Sequence, residues 1–102
     1  MLEINAENFD ALAASGPLVV DFWAEWCAPC RALKPMLEEL AAEYSGRVSF
    51  AACDVEQNDE IACRFHVRSV PTLVFLKNGE VVDIHIGSVT REVLAEKLQK
   101  IR

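Results

Sequence analysis

Few of the 102 residues are equipped for chemistry near neutral pH: four cysteines, two histidines, and an aspartate, Asp21, set inside an apolar run. Cys27 and Cys30 are separated by Ala28 and Pro29, whereas Cys53 and Cys63 stand apart. Two thiols at the first spacing suit half of a metal site, a structural disulfide or a redox pair. The spacing alone decides little, since about one shuffle in ten of such a composition contains it. A tetrahedral zinc site needs a second ligand pair at similar spacing. Cys53 and Cys63 lie ten residues apart, on what read as a strand and a helix.

The flanks favour redox chemistry. Trp26-Cys27-Ala28-Pro29-Cys30 follows an apolar strand and opens a helix. Unpaired N–H groups and the helix macrodipole stabilise an anion there, and a thiolate is such an anion. A free thiol with pKa about 8.5 is only a few per cent ionised at pH 7, so lowering its pKa multiplies the nucleophilic fraction. Cys27 is therefore the expected nucleophile. Cys30, one turn on, is the expected resolving thiol, attacking Cys27 once a mixed disulfide with substrate has formed. Pro29 suits a first helical turn and stiffens the loop. Cys30 must lose its proton, and Asp21, in the strand feeding the loop, is the candidate base. Burial there raises a carboxyl toward neutrality.

The elements that must position these groups follow from periodicity. Leu2–Ile4 reads as a short strand. Asn5 is expected to cap a helix over 6–14. Leu18–Trp23 is apolar on both faces, as in a buried strand. Leu33, Leu37, Leu40 and Tyr44 mark one face of a helix over 27–44, which Pro35 is expected to kink. Val48–Asp54 is a strand and Asn58–Phe65 a helix with Ile61 and Phe65 inward. Thr72–Leu76 and Val81–Ile86 flank the hairpin signal Asn78-Gly79. Thr90 caps a last helix carrying Leu94, Leu98 and Ile101, on which Glu96 and Lys100 are expected to pair. The fold class is α/β: a mixed sheet of about five strands flanked by about four helices, all in one domain over 1–102. Strands joined through helices are expected to be parallel, and the hairpin strands antiparallel.

Composition excludes several functions. The net charge is −6 and the pI about 4.8, with no basic stripe for nucleic acid. No apolar run approaches a membrane helix. The start at Met1 carries no secretion signal, so a cytoplasmic location is expected. His66 and His85 lack ligand spacing and read as surface or boundary residues. Cys53 reads as an inert buried thiol, and Cys63 as partly exposed.

The stretch from Val20 to Cys30 closely resembles the active-site segment of the thioredoxin family. The resemblance continues through Pro35, Val70-Pro71-Thr72, Lys77-Asn78-Gly79-Glu80 and Gly87, over nearly the whole chain. It implies the thioredoxin fold and an activity: reduction of protein disulfides, using a redox-active Cys27–Cys30 disulfide and no bound cofactor or metal. It implies disulfide-containing protein substrates, recycling by a thioredoxin reductase, and action as a monomer. It further implies a cis Val70–Pro71 peptide facing Cys27, and a substrate groove of Trp26, Ala28, Pro29, Val70, Pro71 and Gly87. Four positions depart from the family pattern. Ala28 replaces a usual glycine, which bears on the loop and its reduction potential. Ala52 replaces a lysine that often neighbours the buried aspartate; without that positive partner the desolvation of Asp21 is less opposed, and its pKa is expected to rise further. Ser69 and Ser88 replace small or apolar groove residues. Two other readings remain: a dedicated reductant within the same chemistry, and a binding module that uses the groove without turnover.

Overall fold

Chain order in the computed structural model, which describes residues 1–102, gives nine elements. They are β1 (Leu2–Glu3), α1 (Phe9–Ala14), β2 (Leu18–Trp23), α2 (Ala28–Glu43), β3 (Ser49–Asp54), α3 (Asp59–Arg64), β4 (Thr72–Lys77), β5 (Glu80–Ile86) and α4 (Arg91–Gln99). The strands form one mixed sheet in the order β1-β3-β2-β4-β5. β2 is central and buried on both faces, which is why its sequence is nearly all apolar. Leu18, Val20 and Phe22 face one way, packing with Phe9, Ala13 and Ile61 of α1 and α3. Val19 faces the other way, packing with Leu33, Leu37 and Leu40 of α2 and with Leu94 and Leu98 of α4. Strand side chains alternate, so Asp21 shares the α2 side with Val19. Its neighbours are thereby set.

One expectation about direction fails. β3 and β4 are joined through α3, yet β4 runs antiparallel to β2, while β3 runs parallel to it. The six-residue α3 advances only about 9 Å, against roughly 20 Å for a six-residue strand. By itself it does not carry the chain back to the far end of the sheet. β4 therefore starts where β3 stops, and Phe22 at the end of β2 pairs with Thr72 at the start of β4. This reversal brings the Val70–Pro71 segment to the Cys27 end of the sheet.

Local corrections are small and have local causes. The first helix starts at Phe9 instead of residue 6, because the Asn5 Oδ1 accepts the N–H groups of Glu7 and Asn8 in a turn ahead of it. Pro35 lies inside α2 without ending it. Asn78 and Gly79 both adopt positive φ, 55° and 79°, which a tight hairpin between β4 and β5 requires. Thr90 caps α4 by accepting the Val93 N–H at 3.2 Å.

Lys100 does not pair with Glu96. Its Nζ donates to Asp83 Oδ2 at 3.0 Å, beside Lys97 at 2.8 Å. Asp83 is half-buried on β5, and a shared carboxylate between two ammonium groups is worth more than an exposed pair along one helix. The hydrogen bond from Lys97 holds the Asp83 carboxyl down at about 2, helped by Lys100 and the Ile84 N–H. A depressed folded pKa contributes stability above the unfolded value near 3.8, lost as pH falls toward 2. Asp83→Asn should therefore cost roughly 1–2 kcal/mol at pH 7, after discounting for solvent, and almost nothing at pH 2. Urea melts at the two pH values check this; an equal cost at both would remove the ionic explanation.

Candidate active site

Cys27 is the N-cap of the sixteen-residue α2, with Ala28 and Pro29 opening the helix. Its Sγ accepts the Cys30 N–H at 3.2 Å. A thiolate at Cys27 gains that charge-assisted bond and the positive end of the helix dipole. Cys27 and Cys30 are joined as a disulfide with Cα atoms 5.3 Å apart. The two sulfurs have different company. Cys27 Sγ lies 3.8 Å from the Val70 carbonyl oxygen, at a cis Val70–Pro71 peptide. Cys30 turns inward and lines a pocket of about 490 Å³ with Asp21, Trp23, Glu25, Arg31 and Lys34.

Asp21 is 2% exposed, and its Oδ1 has no hydrogen-bond partner. Burial pushes its carboxyl up to about 7, and the Lys34 ammonium pulls the other way. The expectation of an elevated carboxyl holds. As expected, β3 offers no lysine there, yet Asp21 is not without a cation. Ala52 does face Asp21 across β3. The cation comes instead from α2, one turn beyond Cys30. Lys34 is legible in the sequence as a helix-face lysine at i+4 from Cys30, but its relation to a strand residue depends on how α2 lies on the sheet.

Of the residues expected to form a groove, Trp26 and Ala28 flank Cys27 in the chain, Val70 lies beside its sulfur, and Pro71 and Gly87 are tied to each other beyond Val70. Trp26 is 66% exposed, and its indole N–H donates to Glu56 Oε2 at 3.1 Å. Ala28 and Pro29 are exposed, Val70 and Gly87 half-buried, and Pro71 buried. The Gly87 N–H donates to the Pro71 carbonyl at 2.8 Å, tying the two loops together. Gly87 has φ 90°, a left-handed conformation that L side chains rarely adopt. Just behind it, His85 Nε2 lies 2.9 Å from the Ser88 carbonyl oxygen and secures the same turn. Sequence reasoning misses Ile86. It is 68% exposed, the most open large apolar side chain of the molecule, and it precedes Gly87. Two hollows flank this line, one of about 140 Å³ bordered by Trp26, Val67 and Val70, the other of about 250 Å³ bordered by Pro29, Met36 and Val89.

The remaining cysteines stay apart. Cys53 is buried in the α1 and α3 core, and burial, with the Asp54 and Asp21 carboxylates, pushes its thiol up to about 12. At that value it is neither nucleophile nor ligand at neutral pH. Cys63 is exposed on α3. No three His, Cys, Asp or Glu side chains are gathered to hold a metal ion. No helix is long and apolar enough to cross a membrane.

The Thioredoxin family model matches residues 1–100. The chain is 44% identical over 100 residues to the thioredoxin of Staphylococcus haemolyticus, covering 98% of this chain and 96% of that one. It is 43% identical to the thioredoxin of Staphylococcus saprophyticus and 42% to that of Staphylococcus aureus, with the same coverage. The chain belongs to the thioredoxin family. A thioredoxin-family chain with this cysteine pair bridged at the start of α2 is a protein thiol–disulfide oxidoreductase, working by dithiol–disulfide exchange. The α/β fold agrees: five strands in a mixed sheet with four helices.

Proposed function

We propose that Cys27 is the nucleophile, Cys30 the resolving thiol and Asp21 the base that serves Cys30. The observation carrying this assignment is the asymmetry of the pair. Cys27 is the helix N-cap beside the Val70 carbonyl, whereas Cys30 faces the Asp21 pocket. In the first step the Cys27 thiolate attacks a substrate disulfide. A Cys27–substrate S–S bond forms, the substrate S–S bond breaks, and one substrate sulfur leaves as a thiolate. In the second step Cys30 gives its proton to the Asp21 carboxylate and attacks Cys27 Sγ. The Cys27–Cys30 bond forms and the second substrate sulfur departs as a thiolate that takes up a proton. Two electrons pass from the enzyme dithiol to the substrate, with no bound cofactor.

Substrates in this reading are extended protein segments carrying a disulfide. They lie in the groove of Trp26, Ala28, Pro29, Val70, Pro71 and Gly87, extended by Ile86. A thioredoxin reductase would return Cys27–Cys30 to the dithiol. A general dithiol donor of this kind belongs where thiols are kept reduced, which favours the cytoplasm. We read residues 1–102 as one domain acting as a monomer.

Trapping tests the assignment. A Cys30→Ser variant should stall as mixed disulfides through Cys27 when incubated with an oxidised model protein, and dithiothreitol should release them. If Cys27→Ser traps as much through Cys30, the roles are reversed and the proposal fails.

A further inference from the structure

We propose that Lys34 is a positioning residue for the resolving step: its ammonium, held over the Trp23 ring, supplies the positive charge that favours Asp21 as a carboxylate beside Cys30. This rests on the reading of Asp21 as the base for Cys30. Lys34 Nζ sits 4.5 Å from the Trp23 ring centroid. Trp23 is two residues from Asp21 along β2, so both project to the α2 side. Cys30, Lys34 and Asp21 line the same pocket, and one Asp21 oxygen there has no partner. A half-buried ammonium fixed by a cation–π contact is a better electrostatic partner for that oxygen than a solvated, mobile one.

No other group facing Asp21 supplies that charge. Opposite Asp21, β3 presents Ala52 and β4 presents Leu73. The Cys53 thiol, next along β3, stays protonated, and Asp54 beyond it is acidic. Glu25 on the rim of the pocket is also acidic. Arg31, the only other cation there, donates to the Glu25 carbonyl oxygen and is thereby turned to the loop.

The test separates charge from packing. Lys34→Met keeps an apolar stem against Trp23 and removes the charge; Lys34→Arg keeps the charge. Carbon-13 NMR titration of the Asp21 carboxyl in the reduced protein should show the Met variant's midpoint moved up by at least about half a pH unit, with Arg restoring it. The acid limb of the rate at which Cys30 displaces a Cys27-bound aryl thiol should move by the same amount. An unmoved midpoint in Lys34→Met overturns the role of Lys34. A moved midpoint with an unmoved rate limb overturns Asp21 as the base for Cys30, and with it the catalytic part of the proposal. Asp21→Asn serves as the reference in which the limb is absent.

Discussion

A Cys27→Ser variant should reduce a model protein disulfide no faster than dithiothreitol alone, a loss of at least about three orders of magnitude. A serine hydroxyl at the helix N-cap keeps the hydrogen bond from the Cys30 N–H but supplies no thiolate. Cys30 cannot substitute. Both sulfurs are buried, but Cys30 lines the Asp21 pocket, whereas Cys27 Sγ lies at the Val70–Pro71 edge where a substrate disulfide would approach. Absorbance or turbidity with saturating dithiothreitol reads the rate directly. Wild-type activity in Cys27→Ser would mean that the domain acts by binding in its groove, and that the bridged pair is structural.

The second large effect concerns stability, and its sign follows from Asp21. In the unfolded chain its carboxyl titrates near 3.8, and in the folded chain at about 7. Between those values the folded state holds a proton that the unfolded state has released. Stability therefore falls as pH rises through this window, and the full cost is present above pH 7. A carboxyl raised this far carries a cost of about 4 kcal/mol once it is ionised. Asp21→Asn removes the titration. Its stability relative to wild type should rise by about 4 kcal/mol between pH 4 and pH 8, read from urea unfolding of the oxidised protein. A difference that does not vary with pH would show that burial does not set the Asp21 carboxyl. A carboxyl that costs this much in a chain able to bury an apolar residue there fits a group retained for the reaction.

These two variants also separate the site's components. Cys27→Ser acts on the first step, where the helix N-terminus and the cis Val70–Pro71 edge matter. On the proposed assignment, Asp21→Asn acts on the second, where the pocket behind Cys30 matters. On the same assignment Lys34 belongs with the second group, and Trp26 and Ile86 with the first. Changes at the groove should alter substrate affinity while leaving the Asp21 titration in place.

Much of this is legible along the chain. The β2 run of apolar residues announces burial on both faces, and Asp21 stands out as the one polar residue within it. The step from that strand to the helical period after Cys27 places a cysteine at a helix N-terminus. Thr90 as a cap and Asn78-Gly79 as a hairpin turn are equally local. Ile86 is not legible as an exposed residue, because an isoleucine in a strand reads as core until the strand is known to lie at the sheet edge. Helix periodicity matches Lys100 with Glu96 because it shows only same-helix neighbours, while the true partner, Asp83, lies on β5.

The sequence by itself determined the types and order of the elements, the Cys27–Cys30 chemistry and the anomaly at Asp21. Those depend on forces acting within a few residues: side-chain alternation, helix periodicity, capping and turn geometry. Tertiary structure decided the direction of β4, and so the meeting of Val70 with Cys27 across 43 residues. It also decided that Lys34 on α2 stands beside Asp21 on β2. Such encounters are set by the shortness of α3 against the strands and by the seat of α2 on the sheet. They are properties of packed layers, which no local pattern along the chain encodes.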